Sequence, residues 1–297
     1  MPGCIVTEIF DLALPHGITL SCRADGPSAA PRALLLHGFP EGAFVWDEVM
    51  SRLSPRVRCV APNLRGYERS SAPASVEAYR AKHLVADIAA LIRTLGAPID
   101  LLVAHDWGGA VAWNLAASQP QLMKHLLIVN SPHPATFLRE LRDNTAQQAA
   151  SAYMNFLCRD DAASLLAEDD FARLWPFFEN MGASAWLDEA TQERYREVWR
   201  CGLEGALNYY RASPLRPPRA ASDAIHTLQL PAEMTTVSVP TTVLWGDADS
   251  ALPPALLDGL DAHVPQLDVQ RVPGATHWIV HEQPGLVAEL IARLIAQ

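Results

Sequence analysis

Short runs rich in apolar residues alternate along this chain with segments whose apolar residues recur every three to four positions. The runs are Ala33–Leu36, Val57–Ala61, Leu101–Ala104, Leu126–Asn130, Thr241–Trp245 and Leu267–Val272. All six predict strands, and the continuous runs Ala33–Leu36, Leu101–Ala104 and Leu126–Asn130 predict strands buried on both faces, as in a parallel sheet. Residues 5–22 predict two further short strands around the turn Pro15-His16-Gly17, with Ile18, Leu20 and Cys22 on one face. Helical periodicity appears in Tyr79–Leu95 (Leu84, Ile88, Leu91, Ile92, Leu95), which stops at Gly96. It returns in Ala110–Ala116 and in the last helix, through Leu286, Val287, Leu290, Ile291, Leu294 and Ile295. Strand and helix in alternation predict an α/β fold with a mostly parallel central sheet and helices on both faces.

From about Ser131 to about Pro231 the alternation stops, and amphipathic helices without a convincing strand take over. Phe156, Phe171, Trp175, Phe177, Phe178, Trp186 and Trp199 gather here. The pattern predicts a helical cap (lid) domain over residues 132–231, inserted between a first core part, 1–131, and a second, 232–297. Aromatic-lined caps close apolar pockets and exclude water. Most of these aromatics are expected simply to glue cap to core.

Composition narrows the setting. The chain has 297 residues, 49% hydrophobic and 19% charged, enough for one large core with an insertion. A net charge of −10 argues against nucleic-acid or acidic-membrane partners. Five scattered cysteines with no C-x-x-C pair argue against a disulfide framework or a zinc site. The remaining histidines, His16, His83, His125, His133, His226 and His263, show no metal-ligand spacing and are expected to be structural or at the surface. No basic, apolar leader opens the chain and no stretch is long enough to span a bilayer, so the expectation is cytoplasmic. No cofactor is expected, and a monomer and a homodimer fit equally.

The candidate chemistry sits where the run Leu101–Ala104 turns into a helix, at Ala104-His105-Asp106-Trp107-Gly108. A reactive residue at such a turn is lifted above the sheet, and small neighbours two places either side let the turn close. Where G-x-S-x-G carries serine, Asp106 stands here. A carboxylate is already anionic and can displace a leaving group from saturated carbon; water must then attack the resulting enzyme ester. An ordinary helix-capping Asp is the bland alternative. His37-Gly38-Phe39-Pro40 follows another strand, where an oxyanion-binding amide belongs. The backbone N–H groups of Phe39 and Trp107 are the expected donors. Sequence leaves open whether Phe39-Pro40 is cis.

Asp106, Asp249 and His277 follow three different strands in the order nucleophile, acid, base. With His37–Pro40, Arg65-Gly66-Tyr67-Glu68-Arg69-Ser70-Ser71, His105–Gly108, Trp245–Asp249 and Gly274–Trp278, the chain resembles the α/β-hydrolase-fold epoxide hydrolases over nearly its whole length. The neighbouring haloalkane dehalogenases share several of these motifs. Two departures are mild: Ala104 and Glu68 stand where the family often has glycine. The resemblance implies a small apolar epoxide and water as substrates, with cap tyrosines holding the epoxide oxygen. Tyr153 and Tyr210 match those positions, Tyr209 being the rival of the latter. It also favours Asp249 over Asp247. His37, Pro40, His105, Trp186 and Trp278 are expected around the substrate, whereas His281 is expected at the surface. Two other readings remain open: a haloalkane dehalogenase holding halide with Trp107 and Trp175 or Trp186, and a non-catalytic ligand-binding member of the fold.

Overall fold

The computed structural model describes residues 7–183, 186–220 and 223–297. Eight strands form one sheet: β1 (Glu8–Ala13), β2 (Thr19–Asp25), β3 (Arg32–Leu36), β4 (Arg58–Pro62), β5 (Ile99–His105), β6 (Met123–Val129), β7 (Thr241–Gly246) and β8 (Leu267–Val272). Their order is β1-β2-β4-β3-β5-β6-β7-β8. The first two pairings, β1 with β2 and β2 with β4, are antiparallel and the other five are parallel. Central β5 is buried along almost its whole length, which is why its sequence is an unbroken apolar run. The edge strands β1 and β8 alternate instead, one face toward solvent.

The core helices are α1 (Asp47–Leu53), α2 (Ala81–Leu95) and α3 (Asp106–Ser118). The periodic segment expected from Tyr79 becomes helical only at Ala81, because Arg80 is extended and Tyr79 closes a separate 3-10 turn. Between β6 and β7 the described residues contain helices and no strand: α4 (Pro134–Asp143), α5 (Thr145–Ala150), α6 (Tyr153–Leu157), α7 (Ala162–Phe171, broken at Glu168–Asp170), α8 (Trp175–Glu179), α9 (Glu189–Arg200), α10 (Glu204–Ala212) and α11 (Ala232–Thr235). The last of these packs on α3. Two helices, α12 (Ile279–Glu282) and α13 (Pro284–Ile295), close the chain, and α13 packs against α1.

The aromatics of the insertion form a network that reaches the core. Phe178 stacks on Trp278 at 4.5 Å, and Trp199 packs on Trp175 at 4.7 Å. The Trp199 indole N–H donates to the Pro40 carbonyl, tying α9 to the loop after β3. Such rings contribute mainly through buried area, with about 1 kcal/mol more for favourable ring geometry.

Candidate active site

Parallel strands point their carboxyl ends to one edge of the sheet, and the polar residues that end them meet there. Asp106 follows β5 directly with φ +46°, the strained turn expected of an elbow. The turn closes only against glycine. A Cβ on Gly38 would stand 2.4 Å from the Asp106 carboxylate, and one on Gly108 would stand 2.6 Å from the His37 carbonyl. The Ser131 hydroxyl donates to the Asp106 carbonyl at 2.6 Å, holding the turn from β6.

The Phe39 amide donates to Asp106 Oδ1 at 2.8 Å. Trp107 is the second residue of α3, where a backbone N–H has no carbonyl of its own helix to reach. Phe39-Pro40 is cis. The other oxygen, Asp106 Oδ2, lies 3.9 Å from His277 Nε2. On the far side of the ring His277 Nδ1 donates to Asp249 Oδ2 at 2.7 Å. Asp247 is drawn off to an ion pair with Arg271 at 2.7 Å, so of the two rival acids Asp249 is the one beside the histidine.

Burial pushes the His277 imidazole down, but the Asp249 carboxylate, with Asp106 and Glu41 behind it, outweighs burial and raises it to about 9. Four donors surround the buried Asp249 carboxylate. Its Oδ1 takes the Ala251 and Leu252 amides at 2.9 and 2.8 Å, and its Oδ2 takes Asn130 Nδ2 at 2.7 Å besides the histidine. Asn130 in turn accepts the Gly246 amide at 3.0 Å, bracing the β7 loop that carries the acid. Reading the sequence missed Asn130; the signal was a polar residue ending a buried apolar run.

A second buried carboxylate was also missed. Glu41 is fully buried, and its Oε2 accepts the Gly38 amide and His105 Nδ1–H, both at 2.9 Å. His105 Nε2 faces the His277 carbonyl at 2.9 Å. Its two ring nitrogens thus lie between the Glu41 carboxylate and the His277 carbonyl, tying the loop after β3 to the loop that carries His277. Burial opposes the charge on Glu41, yet His105 and the Gly38 amide hold its carboxyl down to about 2.

A cavity of about 190 Å³ opens over Asp106. Its walls are Asp106, Trp107, Ala110, Val111 and Asn114 from α3, Tyr79 and Leu84 from the α2 side, and Phe137, Tyr153, Met154, Tyr209 and Tyr210 from the insertion. Leu215, Leu230 and Met234 complete it from the return segment. Tyr210 packs edge-on against Phe39 and Trp107, at 5.2 and 5.0 Å, and against Tyr153 at 6.3 Å. Burial raises both hydroxyls well above the usual tyrosine range, so both remain protonated donors. The hydroxyl of the rival Tyr209 is already committed, donating to the Arg65 carbonyl at 2.9 Å.

The expected pocket lining lies elsewhere. His37, Pro40, His105, Trp186 and Trp278 do not line this cavity. His37 is a core residue: its Nδ1 donates to the Gly38 carbonyl and its Nε2 accepts the Leu64 amide. Pro40 belongs to the contact with Trp199, His105 to the Glu41 pair, and Trp278 stacks beneath Phe178. Trp186 stacks on His281 at 4.1 Å. His281 is no surface residue. It is mostly buried, 13% exposed, takes part in a 2.7 Å hydrogen bond with the Tyr195 hydroxyl, and is pushed by burial down to about 4. The cavity instead opens between α3 and the return segment, because α11 packs on α3 there.

This constellation can be compared with known proteins. The sequence profile of the family described as the alpha/beta hydrolase fold matches residues 31–284. Epoxide hydrolase 3 of Xenopus tropicalis is 31% identical over 285 residues, covering 93% of this chain and 74% of its own. This chain belongs to the epoxide hydrolases of the α/β-hydrolase fold. The hydrolase is also 32% identical to the AB hydrolase superfamily protein YfhM of Bacillus subtilis, over 93% of this chain and 94% of that one. An epoxide hydrolase of Bacillus megaterium, solved with an inhibitor, superposes with a TM-score of 0.88 at 30% identity, covering 97% of this chain and 100% of that one. No helix of the described residues is long and apolar enough to cross a membrane.

Proposed function

We propose that this hydrolase converts a small apolar epoxide and water to a vicinal diol through an ester on Asp106. The observation that carries the reading is one shared cavity: Asp106 on its floor and the hydroxyl-bearing Tyr153 and Tyr210 in its walls. With Oδ1 held by the Phe39 amide, Oδ2 is the free oxygen and attacks a ring carbon. The carbon–oxygen ring bond breaks, and the departing oxygen takes a proton from a tyrosine hydroxyl, whose high pKa makes it a strong base once deprotonated. His277 Nε2 then removes a proton from water, and the hydroxide adds to the Asp106 carboxyl carbon. The oxyanion forms at Oδ1, where the Phe39 and Trp107 amides stabilise it; losing such a donor costs about 3 kcal/mol. Collapse releases the diol and restores the carboxylate. The proton on His277 returns to the tyrosinate through the departing alcohol or solvent. Asp249 orients His277 and stabilises its cation.

In this reading residues 132–231 form a cap that supplies the tyrosines and keeps bulk water from the ester. The buried thiols of Cys22 and Cys59 suit a reducing cytoplasm. Trp175 and Trp186, the candidate halide donors of a dehalogenase, pack against Trp199 and His281 respectively and do not line the cavity, which favours the epoxide. A purely ligand-binding role leaves the ordered Asp106, His277 and Asp249 unexplained.

The deciding experiment is mass spectrometry of His277→Gln after exposure to styrene oxide. A stable adduct of the substrate's mass on Asp106, absent from Asp106→Asn, is expected. Tyr153→Phe and Tyr210→Phe should each slow adduct formation by about 100-fold. No adduct together with free halide from a haloalkane panel would move the protein to the dehalogenases.

A further inference from the structure

Helix α10 carries Tyr210, and two of its residues grip one loop of the core. Gly205, in the first turn, meets Gly66 backbone to backbone: a Cβ on Gly205 would fall 2.4 Å from the Gly66 Cα and 2.5 Å from its carbonyl oxygen. Contacts of that length to backbone cannot be relieved by turning a side chain. One helical turn later, on the same face, the Tyr209 hydroxyl donates to the carbonyl of Arg65, the neighbour of Gly66.

The loop they grip is itself fixed. Arg65 is buried and donates Nε and Nη2 to the two oxygens of Asp87, at 2.7 and 2.6 Å, and Nη1 to the Ala78 carbonyl at 2.8 Å. Gly66 has φ +87° and donates its amide to the Ser71 carbonyl at 2.9 Å. A bidentate guanidinium–carboxylate pair of this kind sets orientation as well as distance. Tyr209 is further held by rings on the core side, Tyr67 at 5.5 Å and Tyr79 at 5.7 Å. Tyr210 comes next along the helix, about 100° further round, which turns its ring from this loop to Phe39 and Trp107.

We infer that Gly205 and Tyr209 are positioning residues that set the height and rotation of α10 against the Arg65–Gly66 loop, and so place the Tyr210 hydroxyl over Asp106. The inference rests on the reading of Tyr210 as a donor to the epoxide oxygen. A methyl at position 205 must lift the helix by something on the order of 1 Å to reach ordinary contact. A displacement of that size at a reacting group costs up to about 100-fold in rate. The elements carrying Asp106, His277 and Asp249 belong to the sheet core and do not ride on α10. Ring opening should therefore suffer while ester hydrolysis does not.

The test is rapid-quench kinetics with styrene oxide, resolving formation and decay of the Asp106 ester in Gly205→Ala, Tyr209→Phe, Tyr210→Phe and the double variants with Tyr210→Phe. Gly205→Ala is expected to slow ester formation by about 10- to 100-fold and to leave decay within about twofold of the parent. Tyr209→Phe, which deletes only the hydroxyl, should slow formation by about three- to tenfold with the same selectivity. Neither change should slow formation further once Tyr210 is Phe, since the group they position is then gone. If Tyr210→Phe slows formation but Gly205→Ala and Tyr209→Phe do not, the positioning role is wrong and the donor reading stands. Equal slowing with or without the Tyr210 hydroxyl also overturns it. Unchanged formation in Tyr210→Phe sinks the donor reading itself, and the positioning role with it. Should Gly205→Ala fail to fold, the Tyr209→Phe cycle decides alone.

Discussion

The Nε2 of His277 lies 3.9 Å from the Oδ2 of Asp106, close enough for the two charges to interact and too far for a hydrogen bond. The carboxylate proposed as the nucleophile therefore helps to hold the imidazole protonated. Burial alone lowers this histidine; Asp249 first, then Asp106, bring it up to about 9. In the proposed mechanism, ester formation would remove the Asp106 charge, and with it part of that upward pull. Completion of the proposed first step would thereby release the base needed in the second.

A pH dependence follows, with a definite sign. Only neutral His277 can take a proton from water, so the rate of ester decay should rise with pH. Its apparent pKa should fall below about 9, the value set while Asp106 is still charged. Single-turnover decay measured across pH 5–10 checks this on the order of magnitude that matters. A decay rate that falls as pH rises, or a midpoint above that of the free enzyme, would contradict the coupling.

Asn130 should matter more than a residue outside the triad ordinarily does. It gives one hydrogen bond to Asp249 and takes one from the Gly246 amide, both inside the core. Asn130→Ala leaves a buried amide and a carboxylate lone pair without partners, for a loss of about 2 kcal/mol in stability. Ester decay should slow by about tenfold through the loosened Asp249, with formation little changed. Urea unfolding and rapid-quench kinetics together separate the two effects, and a variant as stable and as fast as the parent would remove Asn130 from this role.

What could be read in the sequence, and what could not, divides along the same line. The buried parallel strands announced themselves as apolar runs, and Asp106 at the end of one of them was visible as a strained turn between small residues. Asn130 and Glu41 were not, because their roles depend on β6 lying beside β7 and on β3 lying beside β5. Tyr209 and Tyr210 were left as rivals because adjacent helical residues differ only by rotation, and that rotation is set by the docking of Gly205 on Gly66. The lining residues were sought near the motifs, whereas the cavity runs toward Leu215, Leu230 and Met234, which reach α3 only through the return path of the insertion.

Glu41 and His105 form a buried pair directly beneath the loop of His277. Because His105 and the Gly38 amide hold Glu41 down to about 2 against an ordinary value of 4.5, its contribution to stability is present above pH 4.5 and is lost as the pH falls toward 2. Glu41→Gln removes a buried carboxylate that accepts from the Gly38 amide and faces His105 Nδ1, and should destabilise the protein by about 3 kcal/mol near neutral pH. It should also flatten the acid limb of the stability profile between pH 4.5 and 2. Equilibrium unfolding of both proteins across that range is the check; parallel profiles would mean that Glu41 does not carry its charge down to that pH.

The cavity also selects by charge. Among the described residues that line it, Asp106 is the one charged side chain, and the rest of the wall is aliphatic, aromatic or neutral. An epoxide bearing a carboxylate would have to shed its hydration without gaining a cation in return. It would also place that charge in the same enclosed space as the attacking Asp106, so repulsion adds to desolvation. The expected outcome is a kcat/KM on the order of 100-fold lower for an epoxide with a carboxylate substituent than for its methyl ester. Raising the salt concentration should recover little of the difference, since enclosed charges are weakly screened. The matched pair assayed at low and high salt decides it. Equal turnover of acid and ester would mean that substrates bind with their substituents outside this cavity, and would place the entrance elsewhere on the molecule.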